Sequence, residues 1–168
     1  MALNLFKRVC RHLFISPLTL KKRFPKAVMQ RIEQAIAQSE QTHLGEIRFA
    51  VELNLSLLDI LRKKSGQQRA LEIFSQLRVW DTEQNNGVLI YLLFADHDFE
   101  ILADRGIHQH TGTQGWARIS REMEALFKQG QFEAGVLHGI TQISILLAQH
   151  YPASTHNYNE LPNRPVII

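Results

Sequence analysis

The sequence predicts an α/β protein, a three-layer α/β/α sandwich in which a small mixed β-sheet is flanked by helices. Residues 46–53 alternate apolar and charged side chains, and residues 88–95 form a continuous apolar run of strand length. A helical stretch separates the two, so we expect them to pair in parallel. Residues 99–103 follow the second strand after a tight turn and predict an antiparallel hairpin with it.

Two helices are predicted before the first strand. Residues 3–14 place apolar and basic side chains on different sides of a short helix, and Ser16-Pro17 ends it or starts a new turn. Pro25 is predicted as the first helical position of a second helix, 25–40. Its apolar side chains recur with helical spacing; they are Val28, Ile32, Ala35 and Ile36.

The middle of the chain predicts a strand, two helices and a turn. The alternation in 46–53 indicates one buried face. Residues 55–64 favour a short helix, Ser65-Gly66 breaks it, and 67–79 form a clearer helix. Asn86-Gly87 then marks a turn with positive φ.

The C-terminal third predicts two helices and a tail. Helical periodicity begins after Asp104-Arg105-Gly106, and the second helix ends near Tyr151-Pro152. The last residues, Val166 to Ile168, are β-branched and either add to a sheet as an edge strand or fray. The predicted parts are a basic amphipathic arm (1–24), a globular domain (25–152) and an extended tail (153–168).

Composition excludes several classes of protein. A chain of 168 residues with 45% hydrophobic and 21% charged residues suits one compact domain and rules out global disorder. The longest apolar run is too short to span a membrane, which takes about 20 residues. The single cysteine, Cys10, excludes a disulfide framework. The N-terminal segment lacks the long apolar run of a secretory signal, so we expect a cytoplasmic protein.

Positive charge is concentrated at the N-terminus, because residues 1–31 hold eight of the 19 Lys and Arg residues and none of the 16 Asp and Glu. Such asymmetry concerns partners rather than fold. Two interpretations stay open: an amphipathic helix on anionic lipid, or an arm whose Leu5, Phe6 and Val9 pack on the domain. Nucleic acid is disfavoured, since aromatic residues are not interleaved with the charges. The residues predicted to meet a membrane or partner are Lys7, Arg8, Arg11, Lys21, Lys22 and Arg23.

A polar cluster is predicted at one edge of the sheet. Asp81, Asn85 and Asn86 precede the central strand, and Asp104-Arg105 follows its hairpin partner. An antiparallel hairpin brings these ends together. Carboxylate and amide oxygens suit Ca²⁺ or Mg²⁺; alternatively Asp81 caps a turn and Asn86 supplies positive φ. The predicted metal ligands are Asp81, Asn86 and Asp104.

The histidines and the cysteine indicate a functional site less strongly than the polar cluster does. His108 and His110 share a face if the backbone there is extended, as a transition-metal site would need. His97 lies at the opposite end of the hairpin. The sequence contains no HExxH, GxSxG, P-loop or GxGxxG pattern, and Cys10 has no histidine context that would make it a nucleophile.

Several stretches together resemble the TPM domain family. Residues 45–52 are similar to its first strand, 70–82 to its pre-loop helix, and 85–92 to its most specific stretch, an Asn-Gly-Val-Leu start to a buried strand. The resemblance covers about 25–152. The spacing that resembles the family's closing helices is carried by Phe127, Gly130, Phe132 and Gly135.

The resemblance implies the same three-layer sandwich and a site at the polar edge. Family members include thylakoid proteins tied to photosystem II repair, for which acid phosphatase activity is claimed, and modulators of membrane receptors. Bacterial forms often accompany LemA-type membrane proteins, and some members bind divalent metals. The pocket that the resemblance implies is bordered by Asp81, Asn85, Asn86, Gly87, Asp104, Arg105, Gly106 and His108.

This sequence departs from the family pattern at the turn after the hairpin. Secreted relatives carry Gly-x-Gly-Leu-Glu where this chain has 104–108, so an acidic ligand is either lost or replaced by Asp104. The leading hypothesis is a non-catalytic cytoplasmic interaction or adaptor module, brought to the inner membrane surface or to a LemA-type partner by the basic arm. The alternative is a divalent-metal-dependent phosphatase of low activity on phosphomonoesters, with Arg105 as the candidate catalytic residue that steadies transition-state charge.

Overall fold

The computed structural model describes residues 2–154 and 158–168, with side chains from residue 5 onward. Seven helices and four strands are seen in this part of the chain. In chain order the elements are α1 (Ala2–Phe14), α2 (Pro17–Arg23), α3 (Lys26–Ser39), β1 (Ile47–Glu52), α4 (Leu57–Leu61), α5 (Gly66–Gln76), β2 (Val88–Leu93), β3 (Asp98–Ala103), α6 (Arg105–Lys128), α7 (Phe132–His150) and β4 (Val166–Ile167).

The four strands form one mixed sheet in the order β3-β2-β1-β4. β1 lies parallel to β2, with Ile47 opposite Val88. β2 and β3 are antiparallel, and Val88 also lies opposite Ala103. The predicted parallel crossover and the predicted hairpin are therefore both confirmed.

Alternate residues of the central strands build two cores, one on each side of the sheet. Phe49 and Ile90 face the layer formed by α3, α6 and α7. Ala50 and Tyr91 face the opposite layer, where α4 and α5 lie. Because successive strand residues point to opposite faces, both layers are filled at once, and the three-layer sandwich is confirmed.

The prediction of one buried face on β1 is wrong. All six residues of β1 are buried, including Arg48 and Glu52. Helix α5 and the C-terminal segment cover the charged face, and Glu52 is bonded to Arg69 of α5 at 2.8 and 3.0 Å. A charged residue can occupy such a position because a buried charge is tolerated when it is paired.

Helix starts differ from the prediction in two places. Ser65, predicted to end a helix, is the N-cap of α5 and forms a capping box with Gln68, which satisfies backbone donors at that end. Pro25 is the N-cap of α3 rather than its first helical residue. Ser16 caps α2 through a bond from Leu18 N.

Helix α6 begins at Arg105, directly after the hairpin, and Gly112 interrupts it with a φ of +64°. His108 and His110 lie before that interruption in helical backbone. Residues two apart on a helix point to different sides, so the extended backbone that would give His108 and His110 one face is not present here. The His110 ring instead stacks on His150, with centroids 4.6 Å apart.

The end of the chain adds to the sheet. β4 lies parallel to β1 with Ala50 opposite Val166, and Ile168 N donates to Val51 O at 2.9 Å. This outcome agrees with the edge-strand alternative rather than with a frayed end. Among the described residues, no helix is long and apolar enough to cross a membrane.

Candidate functional site

The loop before β2 and the start of α6 are joined by backbone hydrogen bonds. Asn85 O accepts from Gly106 N at 2.9 Å and from Ile107 N at 3.3 Å. Gly87 O accepts from Asp104 N at 2.9 Å. The hairpin therefore brings together the two polar segments as the sequence predicted, and we call residues 85–87 with 104–106 the polar turn.

Close backbone approach explains the glycines of the polar turn. A Cβ at Gly106 would lie 2.6 Å from Asn85 O, and a Cβ at Gly87 would collide with Val79 O. Such distances exclude any side chain without backbone movement. The left-handed residue is Asn85, with a φ of +53°, not Asn86 as the turn interpretation expected.

Two buried oxygens of the polar turn have no hydrogen-bond partner among the described residues: Asn86 Oδ1 and Asp104 Oδ2. Asn86 donates its Nδ2 to Leu44 O at 3.1 Å, and Asp104 Oδ1 accepts from Arg105 N at 2.7 Å. Unsatisfied buried oxygens cost free energy. Carboxylate and amide oxygens are the kinds of ligand that a hard cation such as Ca²⁺ or Mg²⁺ prefers.

Three of the other predicted site residues, Asp81, Arg105 and His108, lie at the surface. The Asp81 side chain is 54% exposed, with its carboxylate 4.0 Å from Arg78. Arg105 and His108 are exposed on α6. In residues 2–154 and 158–168, no three His, Cys, Asp or Glu side chains are grouped as a metal site would need. The structure thus joins Asn86 and Asp104 and places the Asp81 carboxylate in solvent.

Tyr151 belongs to this site, although the sequence indicates only that a helix ends near it. Its hydroxyl oxygen lies 2.7 Å from the position a Cβ would take at Gly106. Burial, and then the charge of Asp104, raise the pKa of Tyr151. The hydroxyl therefore stays protonated beside the polar turn. Its local sequence gives no signal of this, because the contact joins the ends of α6 and α7.

Helix α1 is fixed to the domain through one carboxylate. Asp96, 11% exposed, lies 2.7 Å from Arg8 Nη2, 2.8 Å from Arg11 Nη2 and 3.0 Å from His12 Nε2. His12 Nδ1 also accepts from Leu55 N at 2.9 Å. Because Nδ1 is an acceptor, the ring proton is on Nε2, which faces Asp96. We call this contact the α1 latch.

The opposite side of α1 is apolar and exposed. Leu5 and Val9 pack on the core, as one interpretation of the arm expected, but Phe6 is 66% exposed and does not. Helix α4, which α1 contacts, also presents leucines to solvent. We call this surface the docking face; its residues are Phe6, Leu13, Phe14, Leu18, Leu57, Leu58 and Leu61.

Comparison with known proteins identifies the family. A model of the TPM domain matches residues 21–145. The chain belongs to the TPM domain family. Its structure is similar to the NMR structure of the BA42 protein from the psychrophilic bacterium Bizionia argentinensis, with 30% sequence identity and a TM-score of 0.75, covering 84% of this chain and 93% of that one. A comparison with curated proteins finds no match.

Within this TPM domain protein, the docking face and the polar turn belong to different parts of the fold. Phe6, Leu13, Phe14 and Leu18 precede the stretch that the family model matches, whereas 85–87 and 104–106 lie inside it. Exposed cations also lie on α1, on α2 and directly after α4. They are Lys7 and Arg11 on α1, Lys21 and Lys22 on α2, and Arg62 and Lys63 after α4.

Proposed function

We propose that this TPM domain protein is an interaction module that binds an anionic membrane surface through the docking face. The observation that carries the proposal is the outward stripe of α1, in which Phe6, Leu13 and Phe14 are exposed beside Lys7. No acidic residue occurs before Glu33. Helices of this kind lie in the membrane interface with the apolar side in the acyl region and the cations among the head groups.

The α1 latch supports this orientation. Arg8 and His12 point toward Asp96, and Leu5 and Val9 toward the core, so α1 is already ordered with its apolar stripe outward. A preordered helix loses less conformational entropy on binding. Burying one large apolar side chain contributes about 1.5–3 kcal/mol, and each cation near anionic lipid about 1 kcal/mol.

Sedimentation with vesicles tests the proposal. Wild-type protein is expected to co-sediment with phosphatidylglycerol-containing vesicles and not with phosphatidylcholine vesicles, and added salt should weaken the binding. Leu13→Glu should reduce binding by about tenfold or more, because it replaces an inserted side chain with an anion. Ile145→Glu on α7 is the matched control: Ile145 is 56% exposed and Leu13 57%.

Two results would contradict binding of lipid through the docking face. Equal binding of Leu13→Glu and Ile145→Glu would contradict the proposal. So would the absence of vesicle binding in a wild-type protein that is folded by circular dichroism. In that case a membrane-bound protein, for which a LemA-type partner is the candidate, would be the remaining occupant of the docking face.

The two unpartnered oxygens of the polar turn favour a second candidate function, cation-dependent hydrolysis of phosphomonoesters. Asn86 Oδ1 and Asp104 Oδ2 would hold Ca²⁺ or Mg²⁺. A bound cation supplies charge neutralisation and activation of water. Arg105, exposed at the start of α6, would bind phosphate oxygens. Tyr151, whose pKa is raised by burial, would keep its proton beside Asp104.

Calorimetric titration with Ca²⁺, Mg²⁺ and Mn²⁺ tests the second candidate. Asp104→Asn should weaken cation binding by about tenfold or more, because it removes the buried charge at the site. Asp81→Asn should change binding by much less, since Asp81 is exposed beside Arg78. No binding by wild-type protein, or an equal effect of both variants, would contradict a cation at the polar turn.

A further inference from the structure

A groove separate from the polar turn opens between the α2–α3 corner and the segment that leads into β4. Its cavity has a volume of about 1120 Å³, which is large enough for a small molecule. Phe24 and Met29 form part of one wall, and Val166 of the edge strand forms part of the other. The groove therefore offers apolar contact along its length.

Positive charge dominates the polar part of the groove. Lys21, Lys26, Arg48 and Arg164 line it, and Glu33 is the one acid among its lining residues. These cations come from α2, α3, β1 and the C-terminal segment. Low-dielectric walls concentrate the field of such a group, and this favours entry of an anion.

Arg48 is the unusual member of this set. Arg48 is 5% exposed, and neither Nε nor Nη1 has a hydrogen-bond partner in the described part of the chain. Buried guanidinium groups are ordinarily paired and hydrogen-bonded. An unsatisfied guanidinium in the wall of a groove favours a nearby anionic ligand.

The acids near Arg48 are already engaged or neutral. Glu46 accepts from Glu160 N at 2.9 Å and from Leu161 N at 3.3 Å. Burial, reinforced by the charge of Glu46, raises the pKa of Glu40 to about 8, so this carboxyl is largely protonated at neutral pH. The charges of Glu40 and Glu46 favour the charged form of Arg48, so its guanidinium adds positive charge to the wall of the groove.

An extended peptide is the less favoured occupant, although β4 is an edge strand. Pro162 and Pro165 line the same rim, and proline has no N–H to donate to an added strand. β4 itself is two residues long. Few backbone hydrogen-bonding groups are therefore available to pair with an added strand. The cationic side chains of the groove determine which ligand binds.

We propose that this groove binds a ligand that carries a phosphomonoester group, with Arg48 as its central contact. Lys21, Lys26 and Arg164 would neutralise the remaining charge of the phosphate. A group of four cations matches a dianionic phosphate better than it matches a ligand with a single carboxylate. An apolar part of the ligand would lie against Phe24 and Met29. The source is either a soluble phosphomonoester or the head group of phosphatidic acid, and the proposal does not depend on membrane docking.

Titration of the full chain with phenyl phosphate tests the soluble source. Binding should shift the Arg48 Nε–H resonance in ¹⁵N spectra, and benzoate should bind more weakly than phenyl phosphate. The double variant Lys26→Glu/Arg164→Glu should weaken binding by about tenfold or more, because it reverses two contacts at exposed positions. Arg118→Glu on α6, also exposed, is the control and should leave binding unchanged.

Vesicles distinguish the lipid source. If phosphatidic acid is the ligand, the protein should prefer phosphatidic acid over phosphatidylglycerol at equal vesicle charge, and the double variant should lose that preference while Leu13→Glu keeps it. Binding of neither phenyl phosphate nor phosphatidic acid would overturn the proposal. Binding that Lys26→Glu/Arg164→Glu and Arg118→Glu affect equally would also overturn it. If Leu13→Glu loses vesicle binding and the double variant does not, the result tests the docking face and says nothing about the groove.

Discussion

Asp96→Asn is expected to lower the free energy of unfolding by about 3 kcal/mol and to free α1 from the domain. Asp96 is the common partner of Arg8, Arg11 and His12. The variant removes the negative charge, but the positively charged guanidinium of Arg8 stays largely buried. Uncompensated buried charge is costly, so the helix should detach rather than stay in place. Urea unfolding gives the free energy, and limited proteolysis within residues 2–14 reports detachment.

Asp98→Asn is the matched control for the α1 latch. Asp98 lies two residues from Asp96 on the same hairpin, and burial together with the charge of Asp96 raises the pKa of Asp98. Neutralising Asp98 relieves that repulsion, so the variant should be neutral or slightly stabilising. An equal loss of stability in both variants would contradict a latch centred on Asp96.

Acid should weaken the latch in the wild-type protein. Burial raises the pKa of Asp96, but the hydrogen bond from Arg8 and the adjacent His12 outweigh burial, and the net pKa lies below its ordinary value. A carboxyl with a lowered pKa stabilises the fold above its ordinary pKa and loses this effect as pH falls through the lowered value. Proteolysis of α1 should therefore increase as pH falls below about 4, and Asp96→Asn should flatten that dependence.

Arg69→Met is expected to cost about 3–5 kcal/mol of unfolding free energy. Arg69 holds both oxygens of Glu52, whose side chain is 7% exposed. Removing Arg69 leaves a buried carboxylate on the central strand with a bond from Tyr91 at 2.6 Å. Urea unfolding followed by the fluorescence of Trp80 and Trp116 measures the loss.

Two further variants separate charge from packing at this pair. Tyr91→Phe should cost about 1.5–3 kcal/mol, the usual value of a hydrogen bond to a charged group. Adding Glu52→Gln to Arg69→Met should recover part of the lost stability, because the double variant no longer contains an unpaired buried carboxylate. If the double variant is no more stable than Arg69→Met, the cost comes from lost packing and the electrostatic explanation fails.

The sheet and the polar turn were predictable because hairpin geometry is local. The lengths and apolar character of 88–95 and 99–103 fix their pairing, and pairing places Asn86 near Asp104. The capping role of Ser65 was missed, although Gln68 three residues later is the signature of a capping box.

Burial of Arg48 was not predictable from local pattern. Its strand alternates apolar and charged residues, which ordinarily indicates a solvated face. The covering segment is distant in sequence, since Glu46 is bonded to the backbone of Glu160 and Leu161. The exposure of Phe6 was missed for a related reason: periodicity groups apolar residues, but it does not say which part of the stripe the domain covers.

The measurement that tests membrane docking most directly is the environment of a fluorophore on α1. In a Cys10→Ser background, an environment-sensitive dye at Leu13→Cys is compared with the same dye at Ile145→Cys. With phosphatidylglycerol vesicles, emission from position 13 should shift to shorter wavelength, while position 145 stays unchanged. No shift at position 13, or equal shifts at both positions, would contradict docking through this face.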